Sequence, residues 1–404
     1  MDTRICMLHN WCVSRGGAER QIFSLSRELR RLGYRVEVSV IRYDKAACFP
    51  ELVDAIEVAS LSSFFSHDIF RAIPVVQALE LALRLPEGYD LLHAHNFPSA
   101  VAAFLATRLR SSYTDTPYLW QCNEPPRILH DQLEIDRFIR QPNVPAGTGR
   151  AAALLGVKTM HMTSRQIDKL AARNAAAVTA VSSFVADQIE KIYKLRAQVV
   201  NPGIDLETFN PYVKGERIRR KYGIKDSPLL LTVSRLWPAK NLETALRSFR
   251  IVADNFEDAH YIIVGEGPSR LNLQDLTNRL GLSGRVRFVS DAEVEVLAEY
   301  YAACDIFLFP ALSEPWGLSL LEAMATGKPV VAADDGGPAE IVDHNVDGLL
   351  VEPTDPDSYA EAIIQLLKDR SAMEGIGERA AAKAKTYSWE RMACAYAEIY
   401  DSLL

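Results

Sequence analysis

The sequence has no C-x-x-C pair, and its six cysteines (Cys6, Cys12, Cys48, Cys122, Cys304, Cys394) are scattered along 404 residues. That spacing argues against a disulfide framework or a cysteine zinc site and fits reduced thiols in a cytoplasm. Membrane-spanning apolar runs are also missing: charges interrupt "VVQALELALRL", and "YIIVGEGP" is far too short. The opening "MDTRICMLHNW" holds neither a long apolar core nor a cleavage site, so no secretory leader is expected. Basic excess is lacking too. The formal net charge is −7, which argues against general nucleic-acid binding. No short-period repeat or low-complexity tract interrupts the chain.

What is present is alternation. "RICML", "YRVEVSVI", "DLLHAH", "PYLWQC" and "AVTAVS" read as strands, with helical spacing in "AERQIFSLSRELRRLG", "SAVAAFLATRLR" and "SFVADQIEKIY" between them. "QVVNPGIDLETFNP" breaks this rhythm with Pro202, Gly203 and Pro211, and a domain boundary is placed there. A second series follows through "LLLTVSRL", "AHYIIVGEG", "VRFVS", "IFLFP" and "PVVAAD". The expected fold is α/β, with two doubly wound parallel sheets and ligands beyond the carboxyl ends of the strands. The two domains are expected to face a central cleft.

One stretch, "EPWGLSLLEAMATGKPVVAADDGGPAEIV" from Glu314 to Val342, carries more than a helix and a strand require. Glu314 lies in the loop after "DIFLFP", Trp316, Gly317 and Leu318 open a helix, and Glu322 follows one turn on. The first amides of that helix are unpaired and carry the positive end of its dipole, which makes an anion site between two carboxylates. Carboxylates accept hydrogen bonds from diols, so a diphosphate flanked by sugars fits the pattern. E-x7-E alone is weak, since Glu390 and Glu398 repeat it on what reads as a solvated face. Gly336 and Gly337 read either as a close approach or as a simple turn.

The ordered set "TVSRLWPAKNLETALRSF", "YIIVGEGPSR", "VRFVSDAEVEVLAEYYAACDIFLFP", "EPWGLSLLEAMATGKPVVA" and "DGLLVEPTDPDSYAEAI" resembles the retaining family 4 of nucleotide-sugar glycosyltransferases, glycosyl transferases group 1, over most of the chain. The resemblance implies the GT-B fold of two Rossmann-like domains. An acceptor domain would span 1–205, joined by a last helix at about 387–404, and a donor domain 206–386. It implies that Arg235 and Lys240 hold the donor diphosphate, that Glu314 binds the transferred sugar, and that Glu322 binds the ribose. Val289 and Ser290 would lie beside the base, with Trp316, Gly317 and Leu318 at the donor. Gly16 and Gly17 in "SRGGAER" would approach the donor from the first domain, although Gly-Gly is as often a tight turn.

Asn123, in "WQCNEPPRILHD", stands where the family has a histidine that contacts the reacting sugar. It can donate a hydrogen bond but cannot carry a proton. The family's front-face chemistry needs no enzymic base, so the reaction type is unaffected. Glu124 and Arg127 are acceptor-pocket candidates, or else loop residues in water. His93 and His95 share one face of a strand. A packed histidine is the reading for His93, and His95 is placed on the acceptor side. "GEGPSR" fails as a dinucleotide fingerprint because Arg270 replaces its third glycine. "DPD" at Asp355 to Asp357 reads as a helix cap rather than a metal motif. No metal and no cofactor beyond the nucleotide-sugar substrate are expected.

The expected partners are a nucleotide sugar and a glycan or lipid-linked acceptor, without nucleic acid. Arg27, Arg30 and Arg31 are either a solvated helix face or a peripheral contact with the inner face of the membrane. "CNEPPR" resembles mannosyl-transferring relatives and favours GDP-mannose over UDP-sugars. A nucleotide-sugar epimerase on the same fold and a non-catalytic sugar-nucleotide binder are the alternatives.

Overall fold

Each half of the chain builds one all-parallel sheet. In this computed structural model, residues 3–53, 56–61, 74–131, 150–290 and 294–404 are described. They form two compact units: Met1–Asn201 with Trp389–Leu404, and Pro202–Ser388.

The first unit carries seven strands: β1 (Arg4–Cys12), β2 (Arg35–Tyr43), β3 (Glu57–Ser60), β4 (Leu91–His95), β5 (Tyr118–Cys122), β6 (Ala177–Ala180) and β7 (Gln198–Val199). Their order is β3-β2-β1-β4-β5-β6-β7. The second carries β8 (Leu229–Val233), β9 (His260–Val264), β10 (Val286–Val289), β11 (Ile306–Phe309), β12 (Val330–Ala333) and β13 (Leu349–Val351), in the order β10-β9-β8-β11-β12-β13. In both sheets the chain winds outward from the first strand and then returns to its other side. That reversal is the doubly wound topology, and it opens a crevice beyond the carboxyl ends of the two central strands.

The apolar runs explain the layers. Helices cover both faces of a parallel sheet, so its strands are apolar throughout rather than alternating. β11, "IFLF", and β12, "VVAA", are buried at every position. In the second unit Leu246, Phe249 and Val252 of helix Leu242–Asn255 pack with Tyr359 and Ile363 of helix Pro356–Lys368 over Leu230 and Ile263. In the first unit, helix Gly17–Arg31 buries Ile22, Phe23, Leu25 and Leu29. The closing helix, Trp389–Leu403, buries Trp389, Met392, Tyr396 and Tyr400, with the three- and four-residue spacing of one helical face.

β1 is longer than the run "RICML" indicates. It extends to Cys12, because β2 pairs with it as far as Cys12↔Tyr43 and so accommodates the polar His9 and Asn10 inside the strand. Among the described residues no helix is long and apolar enough to cross a membrane.

Candidate functional site

In the second unit the two central strands, β8 and β11, pair directly at Ile306↔Leu230 and Phe307↔Leu231. The loops leaving them are tied together. The Leu312 amide donates to the Ala239 carbonyl at 2.9 Å. Lys240 Nζ forms an ion pair with Glu314 Oε2, with about a fifth of each side chain exposed. Arg235, in the same β8 loop, is exposed, and among the described residues its guanidinium has no partner. Helix Leu318–Ala325 starts immediately after, with Gly317 as its N-cap and no side chain capping it. Two cations and a set of unpaired amides therefore lie at one switch point, which is the electrostatics an oxyanion-rich ligand needs.

Why this loop stands where it does is written in the chain beyond it. Asp335 Oδ2 accepts from the Ser313 amide at 2.6 Å, and the Gly337 amide donates to the Glu314 carbonyl at 2.8 Å. A Cβ on Gly336 would lie 2.5 Å from the Glu314 carbonyl oxygen, and one on Gly337 would lie 2.5 Å from Trp316 Cα. The glycine pair thus lets helix Gly336–Ile341 press its backbone onto the Glu314–Trp316 loop. Trp316 is buried edge-on against Tyr387, 5.3 Å between ring centroids, and among the described residues its indole N–H has no acceptor.

The β8 loop has its own cradle. Ser234 donates its amide to Val264, Leu236 to Glu266, and Ser269 to Leu236. Gly265 and Gly267 make the approach possible, because side chains there would strike Ser234 and Leu236 carbonyl oxygens at 2.0 and 2.4 Å. The run "GEGPSR" therefore positions the Arg235 loop.

Glu322 is buried, and Tyr301 donates its hydroxyl to Oε2 at 2.6 Å. Val289 ends the outermost strand, β10, two strands from β8, and Ser290 follows it. Ser290 bonds to the exposed Glu266 carboxylate, which this contact and the nearby Arg270 hold below its usual pKa.

In the first unit the central pair is β1 and β4. Gly16 caps helix Gly17–Arg31 in extended backbone, and the Glu19 carboxylate folds back against it. His95, the last residue of β4, is buried, and its ring stacks on His93 at 4.3 Å between centroids. Among the described residues neither ring nitrogen of His95 has a hydrogen-bond partner. Burial, then His93 and His9, push its pKa well below the ordinary value, so it is neutral. Asn123 follows β5, and its amide donates to Asn96 Oδ1 at 2.8 Å. Glu124 and Arg127 pair with each other beside it.

Comparison with known proteins identifies the family and the fold. Residues 15–208 match the model described as Glycosyltransferase Family 4, and residues 214–383 match Glycosyl transferases group 1. D-inositol 3-phosphate glycosyltransferase of Corynebacterium urealyticum is 30% identical over 335 residues, 78% of this chain and 79% of that protein. D-inositol 3-phosphate glycosyltransferase 2 of Catenulispora acidiphila is 29% identical over 411 residues, 96% of this chain and 90% of that one. The chain belongs to glycosyltransferase family 4. Crystal structures with the same GT-B fold include Anabaena HepE in complex with UDP and glucose, TM-score 0.77 at 22% identity over 99% of this chain and 100% of that one. Sucrose-phosphate synthase from Thermosynechococcus elongatus superposes with TM-score 0.76 at 22% identity, covering 99% of each chain. This family 4 enzyme is a glycosyltransferase acting from a nucleotide-sugar donor.

Within the glycosyltransferase, Lys240, Glu314, Trp316, Gly317 and Leu318 come together, with Arg235 on the adjoining loop. Glu322 sits behind them, under Tyr301. Gly16, His95, Asn123 and Glu124 lie at the carboxyl ends of β1, β4 and β5 or in the loops that follow them, and Gly17 and Arg127 open the helices after those loops. Sequence reasoning missed Tyr301, Asp335, Gly265 and Gly267, which hold other residues in place and show only through long-range contacts. It also missed Glu19, whose first-turn position beside Gly16-Gly17 was a readable signal. Asp355 caps helix Pro356–Lys368 through the amides of Asp357 and Ser358. Among the described residues no three His, Cys, Asp or Glu side chains gather as a metal site.

Proposed function

We propose that this glycosyltransferase moves a hexose from a nucleoside-diphosphate sugar onto a glycan or lipid-linked acceptor with retained configuration, in polysaccharide assembly. GDP-mannose is the favoured donor on the "CNEPPR" segment. The UDP and UDP-glucose complexes among proteins of the same fold keep UDP-sugars in contention. Several relatives carry the name D-inositol 3-phosphate glycosyltransferase, which makes a phosphorylated polyol the second acceptor to try.

The observation that carries the reading is the Lys240–Glu314 pair beside the free Arg235 guanidinium and the N-terminus of helix Leu318–Ala325. Without donor, the lysine and the carboxylate neutralise one another. When a donor enters, Lys240 turns to the diphosphate and Glu314 accepts from hydroxyls of the hexose. As the bond from sugar C1 to the phosphate oxygen breaks, charge grows on the diphosphate. Arg235, Lys240 and the helix amides stabilise that charge more than they do the ground state. The acceptor oxygen bonds to C1 on the face the phosphate leaves, and its proton passes to the departing phosphate oxygen. Asn123 orients a sugar oxygen and takes no part in proton transfer. Glu322 is assigned to the ribose and Val289–Ser290 to the base side.

The test is a thermal-shift panel of GDP-mannose, UDP-glucose and related donors, followed by transfer of labelled sugar from the best one. Lys240→Ala should abolish the shift given by that donor. An unchanged shift would contradict the diphosphate site. Conversion of donor without transfer to any acceptor would favour an epimerase, and binding without turnover a non-catalytic binder. Turnover that survives a chelator is expected, since the two cations supply the charge.

A further inference from the structure

A single file of buried side chains runs from the closing helix to Asn123. Tyr400 Oη lies 2.6 Å from His93 Nδ1. His93 Nε2 lies 3.0 Å from Gln121 Oε1, and Gln121 Nε2 donates to Asn123 Oδ1 at 3.0 Å. Tyr400, His93 and Gln121 are fully buried. A neutral imidazole has one N–H, and an amide has a donor end and an acceptor end, so the file can run in only two directions. Burial pushes the His93 pKa down to about 3, which keeps that ring neutral.

Tyr400 decides between the two directions. His93 is its hydrogen-bond partner among the described residues. Were the file reversed, the tyrosine would only accept, and its hydroxyl hydrogen would be buried with nothing to receive it. An orphaned buried donor is costlier than an unused lone pair. The hydroxyl therefore donates to Nδ1, Nε2–H donates to Gln121, and Gln121 donates to Asn123.

We infer that Tyr400, His93 and Gln121 are positioning residues that hold the Asn123 carboxamide with its oxygen turned inward and its NH2 turned outward. At the position assigned to the reacting sugar, the enzyme thus offers a donor only, and the matching ligand group is an oxygen that accepts: a hydroxyl lone pair or a phosphate oxygen. The backbone bond from Asn123 to Asn96 fixes where that donor stands. The inference rests on the proposed role of Asn123 for its ligand, but not for its direction.

The direction is read without any ligand, by 15N NMR of histidine-labelled protein at neutral pH, with His93→Gln identifying the signal. The expected state is protonated at Nε2 and bare at Nδ1. Protonation at Nδ1, or at both nitrogens, overturns the inference. The second readout is turnover of GDP-mannose and UDP-glucose. Tyr400→Phe, which keeps the ring, should lower kcat about tenfold with donor KM unchanged, and should cost nothing further in an Asn123→Ala background. An equal loss in both backgrounds would make Tyr400 merely structural and overturn the inference. A parent chain that binds a donor of the panel yet transfers its sugar to no glycan, lipid-linked or polyol-phosphate acceptor sinks the transferase assignment of Asn123, while the tautomer still decides the direction.

Discussion

Gly337→Ala is the sharpest probe of how the Glu314 loop is held. The new Cβ would stand 2.5 Å from both Trp316 Cα and the Trp316 carbonyl oxygen and 2.8 Å from the Pro315 carbonyl oxygen. Ordinary contact begins at 3.4 Å, so the loop or the helix must yield by about 0.9 Å. The obstacle is backbone, with no flexible side chain to swing aside. Overpacking of this kind costs about 1–3 kcal/mol. For a unit the size of Pro202–Ser388, that is a fall in melting temperature of about 2–12 °C. The same movement displaces Glu314, and misplacing a reacting group by about 1 Å costs on the order of 100-fold in rate. Calorimetry and donor turnover measure the two effects side by side. Gly284→Ala is the control, since nothing lies within 4 Å of a Cβ there, and it should change stability by less than about 0.5 kcal/mol. If Gly337→Ala melts and turns over like its parent, the backbone clamp does not set the loop.

Further expectations concern single groups. Tyr301→Phe removes the hydroxyl bonded to the buried Glu322 carboxylate and should cost about 1–3 kcal/mol in urea unfolding; no loss would mean that bond is not formed. Asp355→Ala should lower the urea midpoint through the lost helix cap yet leave turnover, and its response to added divalent ions, unchanged; a metal-dependent loss of activity would contradict the capping role. The buried histidines predict acid sensitivity. Burial lowers His93 to about 3 and His9 to about 4, so below the ordinary value of 6.5 the unfolded chain binds protons that the native one refuses. Stability is then full above pH 6.5 and falls towards pH 4, by up to about 1.4 kcal/mol per pH unit for each histidine. Urea midpoints at pH 7.5 and 5.5 should show this, with a shallower fall in His93→Gln, and a flat profile would refute it.

The fold was legible because alternating apolar strands and amphipathic helices are a local signal. Two runs of that alternation, broken at "NPGIDLETFNP", already specify two covered parallel sheets. The family resemblance alone puts Lys240 and Glu314 at one donor site; the pairing of β8 with β11 is what brings their loops together. Contacts between distant segments were not legible. Nothing near "DLLHAH" announces that Tyr400 closes over His93, a pairing across 307 positions. "GEG" fails as a nucleotide fingerprint, and its physical requirement is the nearness of the Ser234 and Leu236 carbonyls. His95 reads as available from its place at a strand end, but the structure buries it, with its ring stacked on His93.

The helix Trp389–Leu403 belongs to the unit begun by β1, with the whole Pro202–Ser388 unit inserted before it. During synthesis the earlier sheet must wait, with the surface destined for Tyr396 and Tyr400 still wet, until nearly four hundred residues have left the ribosome. The second sheet has all its residues sooner and is free to mature first. A fragment cut at Asn201 would lack its own lid, so this half is poorly suited to expression alone unless the closing helix is grafted back.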